Sequence, residues 1–121
     1  MKKLVFLLLI LTATVATKGQ SRQLIESKEA IISQAVKELD SAMRALDGEL
    51  YAFGQKEKIV GEYTLQLTIR DKGDVVSVFV SDKKNADIPS QNKLKDRILK
   101  FRFSFKMPKN KDYKFNYLFT F

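Results

Sequence analysis

The sequence predicts a small α+β domain, an antiparallel sheet with helices on one side, in the order α-β-β-α-β. Three observations predict it. The final residues alternate, with Tyr113, Phe115, Tyr117, Phe119 and Phe121 in one register and Lys114, Asn116, Leu118 and Thr120 in the other. A period of two is the spacing of a strand that buries one face. Two further alternating stretches flank a glycine turn at Gly73, whereas residues 24–51 and 87–100 repeat apolar side chains at helical spacing.

Taken in order, residues 24–51 read as one amphipathic helix, roughly 40 Å long. Ile25, Ile32, Leu39 and Leu46 recur every seven residues, with Val36, Met43 and Leu50 in a row beside them, and the pattern weakens near Asp47-Gly48. Two readings stay open for it: a coiled-coil seam for a partner, or a helix lying on the domain's own sheet with Ile32, Val36, Leu39, Met43 and Leu46 as cover. Residues 52–60 read as a polar connection. From Gly61 the period changes, and Tyr63, Leu65, Leu67 and Ile69 alternate with polar neighbours. Asp71-Lys72-Gly73-Asp74 forms a hairpin turn in which Gly73 supplies positive φ. On the return strand, residues 75–81, Val76, Val78 and Val80 face the core and Phe79 points away. Asp87-Ile88-Pro89-Ser90 has the cap and first-turn proline of a helix start, followed by a narrow stripe of Leu94, Ile98 and Leu99. Residues 101–107 alternate again, so helix gives way to extended chain near Phe101. Pro108 opens a turn into the aromatic strand.

Composition narrows the function classes. Residues 1–19 read as a secretory signal: Lys2 and Lys3, then an unbroken apolar run over residues 4–11, then small residues Thr14, Ala16 and Gly19 near a cut. That run is shorter than the roughly 17 to 25 residues needed to span a bilayer; an uncleaved anchor is the alternative. The expected location is periplasmic or secreted. The chain has neither cysteine nor histidine. Disulfides, the commonest general base and the commonest metal ligand are thereby removed. The net charge of +8 is uneven. Residues 91–121 hold nine basic side chains (Lys93, Lys95, Arg97, Lys100, Arg102, Lys106, Lys109, Lys111 and Lys114) against Asp96 and Asp112, a balance of +7. Such a block favours anionic surfaces; in an exported protein these are membrane phospholipid or an acidic protein, not nucleic acid.

Residues 61–121 resemble the C-terminal domain of TonB-type energy transducers. The resemblance rests on the hairpin of residues 61–69 and 72–80, on the helix leading into Phe101-Arg102-Phe103, and on a closing strand that ends in aromatics. It implies a three-stranded antiparallel sheet with helices on one side. It also implies protein binding, in which a sheet edge accepts an extended segment of an outer-membrane protein by strand addition. Carried onto this chain, that edge is Lys114, Asn116, Leu118 and Thr120. With two prolines in all, the chain shows no proline-rich spacer. The domain plan is thus a signal over 1–19, a helix and connection over 20–60, and a TonB C-terminal-like domain over 61–121.

No residue set argues for catalysis or for a cofactor. Ser77, Ser81, Ser90 and Ser104 have lysines nearby in sequence only, and Asp71, Asp74, Asp82 and Asp87 suit turns and caps. No phosphate loop or zinc motif is present. The expected function is a non-catalytic binding or scaffold role in the envelope. Its partner is an envelope protein, outer-membrane proteins included; the oligomeric state stays open. One alternative is contact with an anionic membrane surface through Lys93, Arg97, Lys100, Arg102 and Lys106. The other is a trimeric outer-membrane β-barrel anchor, with residues 61–70, 75–81, 99–107 and 113–121 as four strands per chain.

Overall fold

A computed structural model of the chain describes residues 23–44 and 47–121. The expected signal segment and Leu46 lie outside the described residues. The described residues form α1 (Lys28–Met43), α2 (Glu49–Glu57), β1 (Glu62–Arg70), β2 (Val75–Lys84), α3 (Ile88–Leu99) and β3 (Asp112–Thr120). This is the α+β order α-β-β-α-β, with the first helical region split in two.

The split corrects the single helix expected over residues 24–51. Ser27 caps α1, its side chain accepting from the Ala30 amide, and the chain turns extended at Arg44 and again at Gly48. A Cβ on Gly48 would lie 2.3 Å from the carbonyl oxygens of Ala42 and Arg44. Only glycine fits that close backbone approach, and the approach itself breaks the helix. The segment read as a polar connection is then mostly helical to Glu57, where Lys58 takes a left-handed conformation and the Ile59 amide closes onto the Gly54 carbonyl.

The buried row of α1 is also displaced from the expected one. Ile31, Ala35, Leu39 and Ala42 are buried, while Ile32, Val36 and Met43 are only half-buried beside them. Ile31 and Leu39 fill the contact with Ala35 and Ala42 between and beyond them, and Ile32, Val36 and Met43 flank it.

The sheet order is β2-β1-β3, all antiparallel. At the hairpin turn Gly73 has φ of 82° and its amide donates to the Arg70 carbonyl at 2.8 Å. Central β1 buries Tyr63, Leu65, Leu67 and Ile69 completely. Strand β2 pairs less regularly, with register shifts at Thr64/Leu65 and Thr68/Ile69. The second shift places Val75, not Val76, opposite Ile69. Val75 is therefore buried and Val76 is 39 % exposed, which corrects the expected place of Val76, while Val78 and Val80 are half-buried against the core as expected. Asp87 caps α3 by accepting from the Ser90 amide at 2.7 Å, with Pro89 in the first turn.

Residues 101–107 alternate in burial as expected, with Phe101, Phe103, Phe105 and Met107 inside. They do not form a sheet strand. The Phe103 and Met107 amides bond to the Gly73 and Asp71 carbonyls, whereas Lys106 pairs with Gln23 and Ile25. Bonds split between two segments give isolated bridges and no continuous ladder. The four-strand barrel reading needs this segment in the sheet; among the described residues the sheet has three strands. Side chains from both early helices, the sheet, α3 and residues 101–107 share one hydrophobic cluster.

Candidate interaction edge

Strand β3 is an outer strand, and its pairing with β1 runs without a shift through nine positions, from Glu62 opposite Thr120 to Arg70 opposite Asp112. The Phe121 amide continues the register by donating to the Gly61 carbonyl at 3.1 Å. In an antiparallel ladder, successive residues turn their backbone groups alternately toward and away from the neighbouring strand. The Phe121–Gly61 bond sets the parity: Tyr113, Phe115, Tyr117 and Phe119 point their amides and carbonyls at β1. Those of Lys114, Asn116, Leu118 and Thr120 point outward. The structure thus brings the four sequence-predicted edge residues together on one backbone edge. Among the described residues no other segment pairs there.

The inner face of β3 is firmly held. Phe115 and Phe119 are buried, and the Tyr117 ring meets Phe119 edge-on with centroids 4.7 Å apart. The Tyr117 hydroxyl donates to Asp40 Oδ1 on α1 at 2.5 Å. Burial first, and then the Asp40 carboxylate, hold the Tyr117 hydroxyl well above its ordinary pKa. The helices cover this inner face and leave the outer one open, where Leu118 is 53 % exposed and Phe79 is 62 % exposed. The sheet's opposite edge differs. Two bulges interrupt β2, the Asp82 carboxylate accepts its neighbour Lys83's amide, and α3 packs on the strand. Bulges are what blunt an edge against further pairing.

The basic side chains grouped from sequence are placed separately. Lys93 and Arg97 lie on α3 and reach back to α2, Lys93 to Glu57 at 3.6 Å and Arg97 to Glu49 at 2.8 Å. Arg102 pairs with Asp74 at the hairpin turn at 3.4 Å. Lys100 and Lys106 are exposed. Sequence reasoning missed the three acidic partners because each lies 28 or more residues from its base, beyond any helical or strand spacing. Of the serines considered, Ser90 accepts from the Val60 amide, and Ser104 donates to the Glu38 carboxylate. Among the described residues, no cluster of three or more acidic side chains is arranged to hold a metal ion, and no helix is long and apolar enough to cross a membrane.

No protein-family model matches the chain, and neither the curated proteins nor the solved structures yield a match.

Proposed function

We propose that the chain is an exported, non-catalytic protein-binding module of the cell envelope, and that it captures an extended segment of an envelope protein by strand addition along β3. The observation that carries this reading is the unbroken ladder of β3, which leaves the outward amides and carbonyls of Lys114, Asn116, Leu118 and Thr120 in register along one edge. An added strand gains affinity from those backbone groups. Side chains of the same four residues lie on the open face of the sheet, where alternate contacts with the incoming segment set specificity. The resemblance of residues 61–121 to the TonB C-terminal domain supports the same geometry and points to an outer-membrane protein as partner.

The test is a crosslinking pull-down from envelope extract with the intact chain and with Asn116→Pro. The Asn116 amide points away from β1, so proline removes an outward donor without breaking a native ladder bond. The expected result is loss of a specific crosslinked partner while the melting temperature stays close to that of the parent. A folded variant that keeps the same partner overturns the assignment of the edge.

A further inference from the structure

The basic C-terminal quarter does not present itself as one surface. Lys93 and Arg97 on α3 are engaged with α2, and Arg102 with Asp74. Exposed lysines gather instead at the hairpin end of the sheet. Lys72, in the β1–β2 turn, lies beside Lys106 and Lys109 around a cavity of about 340 Å³, which Leu24, Met107 and Pro108 also line. Lys111 stands on the adjoining side of the same turn, next to Arg70, Asp71 and Asp112. Arg70 and Asp112 form an ion pair, as do Arg102 and Asp74. Among the residues lining these two recesses, that leaves Lys72, Lys106, Lys109 and Lys111 against Asp71. All four lysines are exposed, and Leu24 among them is 55 % exposed.

The walls of this end are built, not incidental. The Met107 amide donates to the Asp71 carbonyl at 2.8 Å, the Lys106 amide to the Gln23 carbonyl at 2.8 Å, and the Ile25 amide to the Lys106 carbonyl at 2.9 Å. These bonds hold the lysine-bearing turn, the hairpin tip and the chain at Leu24 as one unit. Exposed lysines around an apolar recess and an exposed leucine are complementary to lipid phosphates above acyl chains. The described chain begins at Gln23 on this same end, downstream of the apolar run over residues 4–11.

We propose that the hairpin end is a docking surface for an anionic phospholipid bilayer, with Lys72, Lys106, Lys109 and Lys111 on the headgroup phosphates and Leu24 entering the interface. This surface is distinct from the β3 edge and does not depend on the strand-addition reading. A module seated this way keeps β3 free to pair.

The experiment measures partitioning of the full chain onto vesicles of equimolar phosphatidylcholine and phosphatidylglycerol, and onto phosphatidylcholine alone. One variant replaces Lys72, Lys106 and Lys109 with Gln. A control replaces Lys56, Lys58 and Lys84, which are exposed toward the far end, with Gln. Both variants carry the same net charge and the same N-terminal segment, so neither difference can explain a gap between them. Each lysine near an anionic surface contributes about fivefold, so the hairpin-end variant should lose about a hundredfold in affinity for the anionic vesicles. The control should lose much less, and added salt should narrow the gap. Leu24→Ser should weaken binding with all lysines intact. Equal losses in the two lysine variants, or equal binding of the parent chain to anionic and neutral vesicles, overturn the proposal. So does binding that follows an acidic protein in envelope extract and is absent on pure lipid.

Discussion

Gly54 sits inside α2, where alanine would ordinarily be the better residue by about 1 kcal/mol. The structure reverses that preference. A Cβ at this position would lie 2.6 Å from Cδ1 and 2.7 Å from Cε1 of Phe121, the last residue of the chain. Carbon atoms rest at about 3.5 to 4.0 Å, so the ring would have to retreat by about 1 Å. The ring is half-buried against the core, and overpacking of this kind costs about 1 to 3 kcal/mol. Setting the helix gain against it, Gly54→Ala should destabilise the protein by about 1 kcal/mol net. In a Phe121→Ala background the clash is gone, and the same change should stabilise by about 1 kcal/mol. The pair should therefore show a coupling of about 2 kcal/mol in a double-mutant cycle. Urea unfolding of the four proteins, followed by circular dichroism, measures it directly. If Gly54→Ala stabilises both backgrounds equally, the C-terminal ring does not close over α2, and the register that carries β3 past Thr120 is wrong.

Two further predictions concern the parts that brace the edge. Phe103 is completely buried between Phe101 and Phe105, with ring centroids at 4.9 and 5.6 Å, so Phe103→Ala should cost about 3 to 5 kcal/mol in urea unfolding. A loss below about 1 kcal/mol would show that residues 101–107 are a surface loop and not part of the core. The Tyr117 hydroxyl titrates higher in the folded chain than in the unfolded one, chiefly through burial and then through Asp40. Its contribution is complete below the ordinary tyrosine value of about 10 and is lost as pH climbs from there toward the folded value. Thermal melts of the parent should therefore fall faster above that pH than those of Tyr117→Phe; parallel curves would refute the role of this hydroxyl.

The edge and the basic residues differ in how far each could be read in advance. Alternation over residues 113–121 specifies which side chains turn inward, and in a ladder the same parity specifies which backbone groups turn outward. Lys114, Asn116, Leu118 and Thr120 are therefore legible from the chain once β3 is known to be an outer strand. That position is a property of the sheet order, which no single strand's sequence encodes. The basic residues show the opposite case. The spacing of Lys93, Arg97 and Lys100 is helical, but Glu49 and Glu57 reach Arg97 and Lys93 only because the fold brings α2 within side-chain reach of α3.

Local chemistry was sufficient for the elements that depend on near neighbours. The hairpin at Gly73, the Asp87 cap with Pro89 behind it, and the alternation in β1 and β3 each follow from backbone geometry within a few residues, so the sequence determined them alone. Tertiary contact decided the rest. A single periodic stretch became two helices because Gly48 lets the backbone fold onto Ala42 and Arg44. The inner row of α1 runs through Ile31, Ala35, Leu39 and Ala42 because that is the side on which the shared core packs. Residues 101–107 kept a strand's alternation without becoming one, because their partners, Gly73, Asp71 and Gln23, lie on two separate segments. Each of these outcomes turns on atoms distant in sequence competing for the same space or the same hydrogen bond, and that competition exists only after the chain has folded.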